Sequence, residues 1–326
     1  MRLVQAAADP PGPSSAAEGG ARWTCAFVNN MPDGAFEPTE RQFVGLLEAG
    51  SGSVLMDVKR FAMEGVPRGE RAATRIAEHY WPMEDIRLDP PDLLIVTGSN
   101  PLEERISHEP YWDELADLLS WGSAHVGSML LSCLSAHAAL EIFDGIERVR
   151  LAAKCTGVFA QEVDVSHPLG SGLERSIVLP HSRTNTVPQD ALHRAGYHIA
   201  IQSEAVGWSV ATRDIDGCQV VLVQGHPEYE PSSLLREYQR DVLRYVHHER
   251  DEIPSLPLHC VAPQDWAQLE ALHRAVTEDS RDPALVEAYP FAEVGARSTW
   301  PWSGTAQRLY ANWLAGVSKR SDDFDA

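Results

Sequence analysis

Cysteine is scarce in this sequence, and its five copies are not spaced as pairs. Cys25, Cys133, Cys155, Cys218 and Cys260 are scattered through 326 residues, and no two of them form a Cys-x-x-Cys motif. An odd number of scattered thiols is typical of a reduced chain and argues against a disulfide scaffold or a zinc site. We therefore expect a cytoplasmic protein without a metal centre.

The sequence also lacks long apolar runs and has few basic residues. The chain has no apolar run of about 18 residues, so no segment is predicted to cross a membrane. It carries 27 Lys and Arg against 47 Asp and Glu, a net charge of −20. Nucleic-acid binding needs clustered cations that neutralise phosphates. We expect no nucleic-acid partner, and an anionic substrate would need a local basic pocket.

Composition divides the chain into three parts. Residues 1–22 are rich in Ala, Gly, Pro and Ser and lack a basic start followed by an apolar core, which predicts a disordered tail rather than a signal peptide. Over residues 23–250, apolar strand-like runs alternate with helical patterns. This alternation predicts a three-layer α/β fold with a mostly parallel sheet. Residues 251–326 are expected to form a C-terminal extension that packs on the same domain.

Several elements are predicted individually. Buried strands are expected at 24–30, 53–58 and 92–98, and helices at 37–49, 111–121, 233–247 and around 309–314. Residues 59–90 are expected to be irregular apart from one helix near 71–79. Short β segments between residues 151 and 211 predict an antiparallel meander. Ligands of parallel sheets bind at the carboxyl ends of the strands, so residues 98–105 are expected to form a pocket wall.

Residues 126–140 carry the strongest chemical signal. An apolar run ends at Cys133, and an Ala- and Leu-rich helical segment begins directly after it. A sharp strand-to-helix turn is how α/β enzymes expose a nucleophile. The N–H groups that follow such a turn point to the place where an oxyanion would form. We therefore predict that Cys133 is a nucleophile.

A second strand end supplies a base for this thiol. Residues 219–224 form an apolar run that ends in Gly225-His226-Pro227-Glu228. His226 would lie at the same sheet edge as Cys133, and a thiol nucleophile needs such a base. Glu228, two residues further along an extended backbone, would point to the same side and could orient the imidazole.

The combination resembles a known family. A strand–Cys–helix junction followed by His-Pro-Glu resembles class I glutamine-amidotransferase-like domains, whose fold is flavodoxin-like. From about residue 27 to residue 317 the chain resembles one branch, the homoserine O-succinyltransferase/O-acetyltransferase family of methionine biosynthesis. The segments that carry this resemblance are Asn30-Met31-Pro32, Thr97-Gly98, Tyr111-Trp112, Lys154 with Gly157-Val158-Phe159, Pro180-His181-Ser182-Arg183, Gly225-His226-Pro227-Glu228-Tyr229, Arg240-Asp241-Val242 and Asn312-Trp313-Leu314.

The resemblance implies a two-step acyl transfer. Cys133 would attack the thioester of an acyl-CoA, and the hydroxyl of an amino acid, homoserine by default, would then take the acyl group. His226 would serve as general base in each half, with Glu228 orienting it, and the backbone N–H of Leu134 would contribute to an oxyanion hole. Arg240 is similar to the family residue that pairs with the amino-acid carboxylate, a task that suits its bidentate fork.

Further site residues follow from the same resemblance. Glu237, one helical turn before Arg240, could meet the substrate ammonium, although the two would equally suit a surface ion pair. Lys154, Ser182 and Arg183 match pocket positions of the family. Acyl-CoA would be a co-substrate, no cofactor would be bound permanently, and a homodimer is the expected assembly.

This chain departs from the family pattern at two places, and a third position bears on the choice of acyl donor. Asp33-Gly34 stands where the family usually has one or two Lys after Met-Pro, and His137 stands at a position that is commonly Gln. In the family, a Glu shortly after Thr-Gly goes with acetyl transfer and a Gly with succinyl transfer. Here that position is Glu103, or Leu102 if no residue is inserted. We therefore expect acetyl-CoA to be favoured over succinyl-CoA.

Other functions remain open at this point. Serine or another specialised amino acid could replace homoserine as acceptor. The same Cys, His and Glu would also serve a glutamine amidotransferase or related hydrolase, although such elbows normally read Gly-x-Cys-x-Gly and Ser132-Cys133-Leu134-Ser135 has neither glycine. A non-enzymatic descendant would not need Cys133, His226 and Glu228 together.

Overall fold

The computed structural model describes residues 4–6, 22–278 and 281–324. Its strands are β1 (Val4–Ala6), β2 (Arg22–Val28), β3 (Leu55–Phe61), β4 (Leu93–Val96), β5 (Ser128–Ser132), β6 (Val149–Val163), β7 (Ser176–Thr186), β8 (His198–Ser203), β9 (Gly207–Ile215) and β10 (Cys218–Val223). Its helices are α1 (Asp33–Gly50), α2 (Glu70–His79), α3 (Asp85–Leu88), α4 (Trp112–His125), α5 (Leu134–Asp144), α6 (Gln189–Arg194), α7 (Ser233–Val246), α8 (Pro263–Glu278), α9 (Pro283–Glu287), α10 (Phe291–Ala296) and α11 (Ser303–Phe324).

The strands form one sheet in the order β1-β3-β2-β4-β5-β10-β9-β8-β6-β7. From β1 to β10 the neighbours pair in parallel. From β10 to β7 they pair antiparallel. The predicted parallel sheet and the antiparallel meander that follows the Cys133 helix are therefore both confirmed.

Side chains of the parallel strands alternate between the two faces of the sheet, and helices cover both faces, which gives three layers. In β2, Phe27 packs with α1 and α11 on one face of the sheet, whereas Val28 packs with α4 and α5 on the other. Ile95 and Val96 of β4 divide in the same way. Successive side chains of a strand point to opposite faces, and a parallel sheet covered on both faces is apolar throughout. This arrangement confirms the predicted three-layer α/β fold.

The helices after residue 260 pack on two parts of this framework. In α11, the indole of Trp313 donates to Oγ of Ser128 at 2.8 Å, and Trp302 just before it donates to the carbonyl of Tyr229 at 2.7 Å. The α8, α9 and α10 helices pack instead on α7, around Val242. In the part of the chain that the structure describes, no helix is long and apolar enough to cross a membrane.

Three boundaries differ from the sequence-based expectations. Val4–Ala6, inside the predicted tail, pairs in parallel with β3. Without this pairing, β3 would leave backbone N–H and C=O groups unpaired at the sheet edge. Residues 1–3 and 7–21 lie outside the described residues. The second strand of the prediction continues to Phe61, where its backbone still pairs with β2. The first helix begins at Asp33 and contains Pro38, at the cost of one helical hydrogen bond.

Candidate active site

Cys133 occupies a strained turn between β5 and α5. Its φ of 51° and ψ of −105° lie outside the usual regions for a residue with a side chain, a conformation that costs about 1–3 kcal/mol. Hydrogen bonds hold the turn from both sides. The Cys133 N–H donates to the carbonyl of Val223 on β10 at 2.7 Å, and its carbonyl accepts from the N–H of His137 at 3.2 Å. The thiol is thereby presented at the start of α5, partly exposed.

Gly98 leaves room next to this thiol. A Cβ atom built on Gly98 would lie 3.2 Å from Cβ of Cys133 and 3.4 Å from the backbone nitrogen of Leu134. Leu134 is the first residue of α5, where N–H groups have no partner inside the helix. The loop after β4 thus approaches the elbow without a side chain, and an acyl oxygen could accept a hydrogen bond from Leu134 there.

His226 reaches the same edge of the sheet from the adjacent strand. It follows β10, which pairs in parallel with β5, and its N–H donates to the carbonyl of Pro180 on β7 at 2.8 Å. Its Nδ1 lies 2.7 Å from Oε1 of Glu228, and both side chains are buried. The carboxylate therefore fixes the orientation of the ring and favours a proton on Nδ1.

The electrostatics of His226 depend on two neighbours. Burial alone would lower the pKa of this imidazole, but the Glu228 carboxylate and the Cys133 thiol outweigh it and raise the pKa well above its usual value. Its Nε2 is buried without a hydrogen bond to any described group and is the ring nitrogen left for the thiol. The ring also stacks on Tyr229, with ring centroids 4.3 Å apart. The raised pKa makes the imidazole a stronger base beside the sulfur than it would be in water.

A second polar cluster lies next to Tyr229 and centres on Glu237 of α7. Lys154 Nζ lies 3.3 Å from Oε2 of Glu237, and the hydroxyls of Ser182 and Tyr229 donate to the same carboxylate. Burial would raise the pKa of Glu237, but Lys154 and the two hydroxyls hold it below its usual value. Glu237 is therefore an ionised carboxylate whose charge Lys154 balances.

Arg240 lies at the rim of this cluster. Its Nε donates to Oδ1 of Asp241 at 2.9 Å, and Lys154 lies 3.2 Å from the other oxygen of Asp241. With 42% of its side chain exposed, Arg240 has further N–H donors besides those that bind Asp241. It lines a cavity of about 470 Å³. Other residues that line this cavity are Asp33, Gly34, Arg68 and Asn100.

Arg68 provides a positive charge near Asp33-Gly34, where the family usually has Lys. Its guanidinium donates to the carbonyls of Met31 at 3.2 Å and Asn29 at 2.9 Å. It lines the same cavity as Arg240. A cation therefore lies beside the turn even though the lysines of the family pattern are absent from it.

Two further predicted site residues have other hydrogen-bond partners or other surroundings. Burial lowers the pKa of Arg183, and the charges of Cys155 and Cys133, which lie within electrostatic range of it, oppose that shift. Arg183 is buried and donates to the backbone carbonyls of Asn185, at 3.0 Å, and Val206, so those donors bind protein rather than a ligand. Glu103 is exposed and lines a separate cleft of about 420 Å³ beside Arg148. The predicted residues that do lie together are Cys133, His226 and Glu228 in one group and Lys154, Ser182, Glu237 and Arg240 in the other.

Sequence reasoning missed several polar residues around these groups. Asp241 and Tyr229 stand inside the segments that carry the resemblance, so their position was a usable signal. Glu109 and Arg148, which bind the loop after β4, had no such signal because each is surrounded in sequence by ordinary surface charges. Among the described residues, no three His, Cys, Asp or Glu side chains are grouped so that they could hold a metal ion.

The fold and the site geometry are those of an α/β enzyme with a cysteine at a strand–helix elbow. The homoserine O-succinyltransferase family model matches residues 15–322. The chain is 39% identical over 292 residues to a homoserine O-succinyltransferase of Rhodopseudomonas palustris, covering 90% of this chain and 87% of the relative. It is also 39% identical over 295 residues to one of Methylorubrum extorquens, with the same coverage. The chain belongs to the homoserine O-succinyltransferase family, and it is an acyltransferase.

Solved structures similar to this chain include a glutamine amidotransferase of Methylobacillus flagellatus. That structure is 15% identical, has a TM-score of 0.46, and aligns over 91% of this chain and 94% of its own.

Proposed function

We propose that this protein transfers an acyl group from acyl-CoA to the side-chain hydroxyl of L-homoserine through a thioester on Cys133. The observation that carries the proposal is the buried His226–Glu228 pair next to a thiol at a strained elbow. Homoserine as the acceptor is supported by the names of the curated relatives. The product would feed methionine biosynthesis, as the resemblance implies.

In the first half-reaction, His226 takes the proton of the Cys133 thiol, and the thiolate attacks the thioester carbonyl. The carbonyl oxygen gains negative charge and accepts a hydrogen bond from the N–H of Leu134. When the intermediate collapses, the C–S bond to CoA breaks and His226 returns its proton to the leaving thiolate. The acyl group is left on Cys133.

In the second half-reaction, His226 takes the proton of the homoserine hydroxyl, whose oxygen attacks the Cys133 thioester. The bond between acyl carbon and sulfur breaks, and the thiolate recovers its proton from His226. Glu228 stabilises the imidazolium in both halves. No permanently bound cofactor is needed, because acyl-CoA enters and CoA leaves as substrates.

Arg240 is the proposed partner of the homoserine carboxylate. It lines a cavity, and a guanidinium binds a carboxylate bidentately. Glu237, which is ionised, is proposed to receive the substrate ammonium, while Lys154 and Ser182 hold its carboxylate in place. An amino acid with a hydroxyl one carbon closer, such as serine, would reach the thioester less well, so a product-detected acceptor screen tests this part.

Two acyl donors are in competition. Acetyl-CoA is the sequence-based prediction, which depends on the resemblance and on Glu103. Succinyl-CoA is supported by the names of the curated relatives. Parallel measurements of kcat/KM with the two donors decide between them. The homodimer and the cytoplasmic location stay predictions.

Intact-protein mass spectrometry tests the mechanism. Incubation with acyl-CoA alone should add one acyl group to the protein, and Cys133→Ala should abolish this adduct whereas Cys155→Ala, which removes the other partly exposed thiol, should keep it. Addition of homoserine should release the acyl group as the O-acyl ester. Absence of an adduct with either donor, together with ammonia release from glutamine, would favour the amidotransferase-type hydrolase instead.

A further inference from the structure

Glu109 is a buried carboxylate bound to the loop that follows β4. Its Oε1 accepts hydrogen bonds from the backbone N–H groups of Leu102 at 3.0 Å and Glu103 at 3.1 Å, and its Oε2 lies 3.2 Å from the N–H of Leu102. The Glu109 side chain is 0% exposed. A carboxyl group buried in this way loses solvation free energy unless its hydrogen bonds replace those to water, and the N–H groups of the loop are donors that do so.

Arg148 binds the carbonyl side of the same segment. Its Nη2 donates to the carbonyls of Glu103 at 2.8 Å and Glu104 at 3.2 Å. The same nitrogen lies 3.8 Å from Oε1 of Glu109, and the Arg148 side chain is 4% exposed. The backbone is therefore held at the N–H groups of Leu102 and Glu103 by Glu109 and at the carbonyls of Glu103 and Glu104 by Arg148.

The other end of this loop is anchored at the elbow. Gly98 touches Cys133 and Leu134, as described above, and Thr97 before it accepts a hydrogen bond from the N–H of Asn30 at 2.8 Å. Only three residues, at 99–101, separate this anchor from Leu102. The attachment of Leu102 and Glu103 to Glu109 and Arg148 consequently fixes how these two residues stand relative to the sulfur.

The loop contributes residues to two cavities. Asn100 lines the cavity that contains Arg240, whereas Glu103 lines the cleft that contains Arg148. Leu102 and Glu103 are the two residues that the sequence offered as the determinant of acyl choice. Glu109 binds the backbone N–H groups of both residues, and Arg148 binds the carbonyl of Glu103.

We propose that Glu109 and Arg148 are positioning residues for acyl-donor selection, because they hold the backbone of Leu102 and Glu103 in one place relative to Cys133. The inference rests on the proposed acyl-CoA function and adds two residues that do not react themselves. Acetyl and succinyl groups differ only at the end remote from the thioester. Discrimination between the two acyl groups therefore depends on the position of the pocket wall. A displacement of about 1 Å in an active site is enough to change a reaction rate substantially.

The test compares Glu109→Ala, Glu109→Gln and Arg148→Met with the unmodified protein. Rates of Cys133 acylation are measured separately with acetyl-CoA and succinyl-CoA by intact-protein mass spectrometry, and KM is measured for homoserine. We expect Glu109→Ala and Arg148→Met to change the ratio of the two acylation rates by about fivefold or more, with the homoserine KM within about twofold. The ratio for Glu109→Gln should lie between the ratios for the unmodified protein and for Glu109→Ala, because the amide oxygen still accepts a hydrogen bond from a backbone N–H.

A double variant and a matched control separate positioning from general destabilisation. Because both side chains hold one segment, the effects of Glu109→Ala and Arg148→Met on the ratio should not add in the double variant. Asp265→Ala removes another buried carboxylate, which pairs with Arg297 at 2.6 Å and contacts no residue of the loop. It should lower stability and leave the ratio unchanged.

Two outcomes would contradict the inference. If the variants at Glu109 and Arg148 slow acylation by acetyl-CoA and by succinyl-CoA equally, the pair only stabilises the fold. The same conclusion follows if Asp265→Ala shifts the ratio of the two acylation rates as much as those variants do. Failure of the proposed function itself looks different, since the unmodified protein would then form no Cys133 adduct with either donor.

Discussion

Nε2 of His137 lies 2.9 Å from Oε1 of Gln224, directly behind the elbow. The amide nitrogen of Gln224 donates to the carbonyl of Trp208 at 2.6 Å, so its oxygen faces His137. His137 must therefore carry its proton on Nε2 and donate it. His137 belongs to the first turns of α5, and Gln224 precedes Gly225-His226. The bond joins the helix that presents the thiol to the segment that presents its base.

Replacing His137 should flatten the dependence of stability on pH. Burial lowers the pKa of His137 from 6.5 to about 4. Between these values the unfolded chain binds a proton that the native chain does not, so native stability falls as pH falls. His137→Gln keeps a donor but cannot titrate. Urea unfolding between pH 7 and pH 4 should therefore show a smaller loss of free energy in the variant, by roughly 3 kcal/mol.

His79→Gln is the control for that measurement, because His79 is an exposed histidine at the end of α2. Its pH dependence should match the unmodified protein. Identical slopes in His137→Gln and the unmodified protein would show that His137 titrates normally in the folded state.

Glu228→Gln should lower both the activity and the pKa of His226. The amide keeps the shape of the side chain but removes the charge that raises that pKa. We expect kcat/KM to fall on the order of 10³-fold, as for other orienting carboxylates of this kind, and an NMR titration should place the imidazole pKa below its value in the unmodified protein. Glu230→Gln, whose carboxylate pairs with Arg41 at 2.9 Å, should change neither. An unaltered His226 titration in Glu228→Gln would refute the orienting role.

Gly98→Ala should slow acylation without unfolding the protein. The new methyl group would contact Cβ of Cys133 at 3.2 Å and crowd the N–H of Leu134 at 3.4 Å, where the acyl oxygen is proposed to bind. Loss of that donor should reduce the single-turnover acylation rate by about 10²-fold. In Gly45→Ala the methyl group would meet nothing within 4 Å, and acylation should be unchanged. Equal rates in both variants would exclude an oxyanion position next to Gly98.

Arg240→Lys should impair the second half-reaction only. A lysine ammonium cannot form the two parallel hydrogen bonds that a guanidinium forms with a carboxylate. The homoserine KM should rise by about tenfold or more, while the rate of Cys133 acylation stays the same. Arg236→Lys, one turn earlier on α7 and paired with Glu230 at 3.1 Å, serves as the control. A slower acylation step in Arg240→Lys would place Arg240 at the donor instead.

The elements that were predictable from sequence are those with local signals. The buried strands that end at Val96 and at Ser132 are continuous apolar runs, and each is flanked by a helical pattern, so their type and order needed no long-range information. The pairing of Cys133 with His226 was also predictable, because the carboxyl ends of parallel strands meet at one edge. Glu228 followed from the alternation of side chains along an extended backbone.

Other features had no local signal. The sequence around Val4–Ala6 has the composition of a disordered tail, and its pairing depends on an open edge of β3, about 50 residues away. Arg183, a predicted pocket residue, donates to the backbone carbonyls of Asn185 and Val206, and its own sequence neighbourhood did not indicate these partners. Glu109 and Arg148 look like surface charges until the fold brings them to neighbouring backbone groups of residues 102–104.

The sequence by itself thus determined the layered α/β fold, the strand–helix turn at Cys133 and the position of His226 at the same sheet edge, because these depend on patterns within single strands and helices. The tertiary structure alone decided what surrounds them: the hydrogen bond between His137 and Gln224, which are 87 residues apart, and the two side chains that hold the loop beside the thiol. Burial and hydrogen-bond partners are properties of neighbours in space, and residues distant in the chain become neighbours only when the sheet has formed.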